Sequence, residues 1–484
     1  MSKKVIIIGA GLAGLSAGIH LQKRGLQTEI FELAAWAGGV CTAWTRKGYR
    51  FDGCIHWMVG TRPGDGFNAI YREVDALTAD TPIYNAPSIQ MEIGGEMLTV
   101  PMRRPEFRAF LHSISPEDAA RIDELCDDVE IMATSPLQTG APTNLAELFK
   151  FMRDGRGFIT IARKYMGITV EEMLAHFQNR KLRNVILALM LPNFSAEALI
   201  MMLGTRMSDN AGYPLGGAKG VSERMEAKYR ALGGQIHFLS KVDEIVIEAG
   251  RAAGIRSNGT LHPADAVVAA CDAYDTLKRM LGGKYPHPQL DEMLASAPLF
   301  DPLALVSFGL TRRFDIPFSR RYECPEGIRT SPDEVQRSFL IRSFDFDPSA
   351  APQGGSSVMV SIKAPLDYWQ DLRSRDAHGY KLQKQQLASA VADAIEQRIP
   401  GFKAAIDEID VATPASYVHL ANLYKASFEG FQPTPKALKT NFRKTIPGVR
   451  NLVLCGQWVM GGGGICAVIA DGKQTARMVA KELK

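Results

Sequence analysis

The feature that most restricts how this chain can fold lies at its start, in "KKVIIIGAGLAGLSAGIHLQKRG". Val5 to Ile8 form a short, wholly apolar, β-branched run, which predicts a strand buried on both faces. Gly9-Ala10-Gly11-Leu12-Ala13-Gly14 is a GxGxxG turn, and a helical pattern follows it. Gly9 permits the tight turn, Gly11 lets backbone approach a pyrophosphate, and Gly14 with Gly18 lets the helix pack closely on the strand. The helix N-terminus at Leu12 and Ala13 offers free N–H groups and a positive dipole end to phosphate.

A second strand is expected in "QTEIFEL", ending at Glu32. A carboxylate at this spacing accepts hydrogen bonds from ribose hydroxyls and repels a 2′-phosphate, which disfavours NADP. The basic start and apolar run also resemble a signal peptide, but the glycine spacing and the continuing helical pattern at His20 to Arg24 favour folded protein.

The net charge of +4 over 484 residues does not ask for nucleic acid. Seven cysteines without a CxxC pair argue against a disulfide framework and for a reducing, cytoplasmic compartment. The most apolar later stretch, "NVILALMLPNFSAEALIMMLG", is interrupted by Pro192, Asn193, Ser195 and Glu197, so it reads as two buried helices rather than a membrane span.

Three separated blocks then resemble one family, the FAD-dependent amine oxidase and phytoene desaturase superfamily. Glu32, Gly38, Gly39, Gly48, Tyr49, Phe51 and Asp52 match its acidic residue, its glycine pair and its G-(Y/F)-x-(F/L)-D strand, with Val40 where the family usually has arginine. "YPLGGAKGVSERMEAKYRALGGQIHFLSKVDEI" is similar to its middle block, and "NLVLCGQWVMGGGGICAVIADG" to its C-terminal one. The resemblance implies FAD as cofactor and an α/β fold. That fold would be a discontinuous, Rossmann-type, glutathione reductase-like FAD domain (residues 1–70, 213–285 and 445–484) with an interleaved α+β substrate domain (71–212 and 286–444). It also implies FAD contacts at Gly9, Gly11, Leu12, Ala13, Gly14, Glu32, Gly38 and Gly39. Val242 would meet the adenine, Gly456 would also contact FAD, and Gly462, Gly463, Gly464 and Ile465 would bring a helix N-terminus to the flavin ring.

"GGVCTAWTRKGYRFDGCIHWMVG" fits no zinc spacing, so no metal is expected. Strand geometry gives Cys41 and Cys54 no reason to meet. The family resemblance makes this stretch a cofactor wall, with Ile55, His56 and Trp57 in the flavin and substrate cavity. His56 is the candidate catalytic residue, since an imidazole moves protons at neutral pH; a structural histidine is the competing reading. Tyr417 and His419, with Tyr424, are read on one strand-like stretch that closes the cavity near the flavin, with surface or core roles as the competing reading. Lys425 is the candidate for the family's flavin-side lysine. Cys466 either packs on the flavin or links to it covalently.

The implied activity is hydride transfer to or from flavin N5 at carbon–carbon double bonds of a lipophilic, polyene or isoprenoid-like substrate. Alternatives are a saturase, a redox-neutral isomerase, an amine oxidase, or a non-catalytic flavin-binding partner. With one nucleotide fingerprint only, electrons must pass to or from something that docks separately: quinone, oxygen, a reduced flavin or the substrate itself. "FKFMRDGRGFITIARKYMG" mixes aromatic and basic residues, as a membrane-surface helix does and as any amphipathic surface helix does. Peripheral membrane contact therefore stays open.

Overall fold

The computed structural model of the chain describes residues 3–137, 139, 145, 149, 152, 153 and 155–484. A five-stranded sheet carries the first motif, in the order Gln235–His237, Gln27–Phe31, Lys4–Ile8, Ala266–Ala269, Leu452–Leu454. Every pairing in it is parallel. Its strands thus come from the beginning, middle and end of the chain. The central strand is apolar on both faces because helices Leu12–Gln22 and Ile465–Glu482 cover one and the antiparallel hairpin Val242–Glu248/Arg251–Ser257 packs on the other, and Val5, Ile6 and Ile7 are fully buried.

Two helices lie together on this sheet. The fingerprint helix Leu12–Gln22 packs against the C-terminal helix Ile465–Glu482. Glycine makes that approach feasible: a Cβ on Gly472 would stand 2.6 Å from the Ala13 carbonyl oxygen. Ser16 Oγ donates to the Ile469 carbonyl at 2.7 Å, closing the contact with a hydrogen bond.

A seven-stranded mixed sheet forms the second layer, in the order Ile406–Ala412, Leu303–Leu310, Ser356–Lys363, Val335–Ser343, Arg320–Arg329, Ser88–Ile93, Glu96–Pro101. Helices Leu366–Arg375 and Ala377–Glu396 cover one face of it around buried Trp369. A third core gathers helices Ala119–Thr134, Arg156–Tyr165, Arg180–Leu189 and Ala196–Arg206. The last two are the pair expected from the apolar stretch; Asn179 and Ser195 cap them.

Among the described residues, no helix is long and apolar enough to cross a membrane. Lys150, part of the basic–aromatic stretch, lies outside the described residues.

Candidate active site

The nucleotide elements converge because the parallel sheet aligns its strand ends. Gly9, at φ +99°, donates its N–H to Phe31 at 2.8 Å, and Ala270 N donates to Ile8 at 2.9 Å. A Cβ on Gly14 would stand 2.0 Å from the Gly9 carbonyl oxygen, so Gly14 packs helix on turn and does not itself line the cavity. Gly11 is open: a Cβ there would meet nothing within 4 Å.

Glu32 lies one residue beyond its strand and is buried. Its Oε2 accepts from Ala10 N at 2.6 Å and its Oε1 from Ala34 N at 2.8 Å. Burial pushes its carboxyl up, and those N–H bonds hold it back. Gly38 N donates to Ala10 at 2.9 Å, which lays Gly38 and Gly39 across the fingerprint turn.

At the far end, Lys444 and Asp471 form a buried ion pair at 2.6 Å, and Asp471 Oδ2 accepts from Gly456 N at 2.8 Å. This pair fixes the turn that leads into the C-terminal helix. Asp52 does the same work between two distant segments of the chain, around residues 52–55 and 213–218. Its Oδ1 accepts from Cys54 N and Ile55 N, both at 3.0 Å, and its Oδ2 from Tyr213 Oη and Ala218 N, both at 2.7 Å. The chain after the "FDG" strand is thereby turned inward.

The elements held in this way enclose one cavity of about 1330 Å³. Gly9, Gly11, Leu12, Ala13, Glu32, Gly38, Gly39, Val242, Gly456, Gly462, Gly463, Gly464 and Ile465 line it, as do Ile55, His56, Trp57 and Tyr417. An open Gly11, an inward carboxylate at Glu32 and a glycine turn before a helix suit a long dinucleotide. From there the cavity continues between apolar walls that include Phe158, Met190, Phe194, Met201, Phe300 and Phe428.

Three expectations change. Cys41 and Cys54 do meet: the hairpin Ala43–Arg46/Tyr49–Asp52 pairs Ala43 with Asp52, and Gly53 N donates to Thr42 O, so Cys41 falls opposite Cys54. A hydrogen bond between the thiols, then burial, push the Cys54 thiol well up, and all seven cysteines are free. The stretch carrying Tyr417 and His419 is a helix, Pro414–Ala421, with Tyr424 on a following 3₁₀ turn. Its aromatic content suggested a strand, but Thr413 and Ser416 form a reciprocal cap ahead of Pro414, and that start signal prevails. His419 is exposed and does not line the cavity, and Lys425 is exposed as well.

His56 is held neutral: burial, then Arg342 and Arg206, push its imidazole well down. Burial pushes the Cys466 thiol up to about 12, far from the thiolate a covalent link needs.

Two carboxyls that the sequence reading passed over line the same cavity. The side-chain carboxyls of Glu197 and Glu429 have no hydrogen bond or ion pair among the described residues, and burial pushes each up to about 7. A faint sequence signal existed: each is a lone acid inside an apolar run, "FSAEALIMM" and "ASFEGF".

A model of the family described as flavin containing amine oxidoreductase matches residues 12–480. The chain is 23% identical to the lycopene-forming phytoene desaturase of Pseudescherichia vulneris, over 100% of both chains. It is also 23% identical to the chloroplastic prolycopene isomerase of Arabidopsis thaliana, covering 99% of this chain and 82% of that one. Among solved structures, cyclohexylamine oxidase from Brevibacterium oxydans IH-35A superposes with a TM-score of 0.62 at 16% identity, covering 100% of each chain. That last likeness is one of fold.

Proposed function

The chain belongs to the flavin-containing amine oxidoreductase family and is an FAD-dependent oxidoreductase, and we propose that it acts on carbon–carbon double bonds of a lipophilic, polyene or isoprenoid-like substrate. The observation that carries this reading is the continuity of the nucleotide cradle with a long apolar gallery inside one cavity. A polyene buries well there, while a polar substrate would leave its hydrogen-bonding groups unsatisfied against methionine and phenylalanine. Desaturase and isomerase relatives support the same class.

In this proposal residues 1–70, 213–285 and 445–484 hold FAD. Gly9, Gly11 and the helix start at Leu12 receive the pyrophosphate, Glu32 the ribose, Val242 the adenine, and the turn Gly462–Gly464 the flavin end. FAD, when bound, supplies the acceptor or donor of a hydride. The chain's own residues orient the substrate and exclude water: Ile55, Trp57 and Tyr417 wall the reacting end, and the phenylalanine and methionine gallery takes the tail. An external quinone, oxygen or reduced flavin completes the redox balance. Leu145, Phe149 and Met152 are 76%, 76% and 59% exposed and recur at helical spacing, which supports peripheral membrane contact. Failure to co-sediment with anionic vesicles would exclude that contact.

A second reading, oxidation of a lipophilic amine, is favoured by the unpaired carboxyls of Glu197 and Glu429, which suit a cation. The deciding experiment is anaerobic, with FAD-loaded protein mixed with polyenes in the oxidised and pre-reduced states. Bleaching with loss of two hydrogens means desaturation, and reoxidation with their gain means saturation. A moved double bond or changed geometry at constant mass means isomerisation. No reaction with polyenes, together with peroxide formation from amines in air, would overturn the first reading in favour of the second.

A further inference from the structure

We propose that Glu429, rather than His56, is the group that takes or delivers the substrate proton in this cavity. The inference rests on the double-bond reading above and assigns a residue to its proton step.

The geometry starts with the loop that carries Glu429. Phe428 packs on Phe300 at 5.2 Å between ring centroids, and Phe431 stacks on Phe442 and meets Trp458 edge-on. Buried Ser427 donates to the Gly430 carbonyl at 2.8 Å. The loop is thus pinned on both sides of Glu429. Its side chain lies along the glycine turn that opens the C-terminal helix. A Cβ on Gly463 would stand 2.5 Å from Glu429 Cγ, and one on Gly464 would stand 3.2 Å from its Oε1. The glycine run therefore makes the room the carboxyl occupies, at the turn proposed to meet the flavin.

The carboxyl faces the cavity with no partner among the described residues. The titratable groups around it are the thiols of Cys54 and Cys466, with Tyr417 beyond the first and Asp65 beyond the second. Both thiols and the phenol are pushed upward, Cys54 chiefly by its Cys41 bond and the others by burial. Glu429, pushed up to about 7, is the one of these that changes charge near neutrality, as a proton carrier should. His56 is ill suited: a proton there would add a third positive charge beside Arg206 and Arg342.

In the desaturating direction one substrate C–H bond would break with its electron pair leaving as hydride, for which FAD, held by the glycine turns, would be the two-electron acceptor. The neighbouring C–H bond gives its proton to the Glu429 carboxylate, and its electron pair becomes the new C=C bond. The proton then passes to solvent. In the saturating direction the carboxylic acid delivers that proton. In an isomerisation it delivers one and another is lost, with no net electron flow.

The test compares FAD-loaded wild type with Glu429→Gln and Glu429→Asp. Without substrate, the flavin absorbance of the wild type should shift with pH through a transition at or above about 7, because a carboxylate would appear at the glycine turn proposed to hold the flavin end; Glu429→Gln should lack it. With polyene, Glu429→Gln should lose about 10²–10⁴-fold in rate at unchanged FAD content and polyene affinity, and Glu429→Asp should recover part of it. The same spectral transition in Glu429→Gln, or none in the wild type, overturns the placement whatever the substrate. A Glu429→Gln rate within threefold of a polyene-active wild type overturns the proton role and leaves the double-bond reading standing. A wild type that turns over amines alone, with Glu429→Gln raising the amine KM, sinks both.

Discussion

The hydroxyl of Tyr213 donates to Oδ2 of Asp52 at 2.7 Å, joining residues 161 positions apart. Asp52 also holds three backbone N–H groups, from Cys54, Ile55 and Ala218. Removing the Tyr213 hydroxyl leaves a buried carboxylate short of one donor. Tyr213→Phe should lose about 1.5–3 kcal/mol of stability, read from the midpoint of denaturant unfolding. A loss below about 0.5 kcal/mol would mean that this bond does not hold the wall in place.

The contact between the first and last helices depends on Gly472. A methyl group there would press on the Ala13 carbonyl oxygen and on Ser16 Cβ, each at 2.6 Å, and both belong to the helix that starts at the pyrophosphate turn. Gly472→Ala should cost about 1–3 kcal/mol and weaken FAD retention in parallel, measured by the 450-nm-region flavin absorbance remaining after gel filtration.

Lys444 and Asp471 are both buried, and each neutralises the other. Lys444→Met should destabilise by about 3–5 kcal/mol, because it leaves an uncompensated buried charge. Lys444→Met combined with Asp471→Leu should be less damaging than Lys444→Met alone, though it orphans the Gly456 N–H. Urea unfolding of both variants decides the order.

Glu197 has a carboxyl raised to about 7 by burial. Below the ordinary carboxylate range both folded and unfolded states hold the proton, and nothing is lost. As pH rises toward 7 the unfolded state releases it first, so stability falls, and above 7 the loss is complete at roughly 3 kcal/mol. Glu197→Gln removes that dependence. Its Tm should match the wild type near pH 4.5 and exceed it at pH 8; an equal Tm at both values would contradict the burial argument.

Glu32 is already held by Ala10 and Ala34, so its remaining lone pairs face the cavity. Glu32→Gln turns an NH₂ toward one of those two N–H donors, so it should lower stability by about 1–3 kcal/mol and also lose a charge-assisted bond to FAD of about 1.5–3 kcal/mol. That corresponds to FAD binding roughly 10- to 100-fold weaker, measured by titrating the apoprotein.

Much of the fold is legible from the chain. The run Val5–Ile8 is apolar at every position because its strand is covered on both faces, and a run of that kind signals burial without any knowledge of neighbours. The caps at Asn179 and Ser195 and the positive-φ glycines at Gly9 and Gly38 are local devices with local signatures. The stretch at Tyr417 was harder, since aromatic content and a capping signal pointed to different elements and the cap prevailed. Cys41 and Cys54 were misjudged because each was weighed on its own strand, whereas the two lie symmetrically about the Lys47–Gly48 turn of one hairpin.

While the discontinuous sheet was legible only through the family resemblance, the sequence by itself determined the first buried strand, the helix that follows it and the glycines at which backbone must approach something closely. These depend on periodicity, β-branching and φ, all properties of neighbouring residues. Only the tertiary structure decided which acids line the cavity without a partner. Glu197 and Glu429 look like ordinary glutamates along the chain, and their character arises from being buried in one cavity without a partner. Desolvation is set by everything packed around a group, and residues from remote segments do that packing.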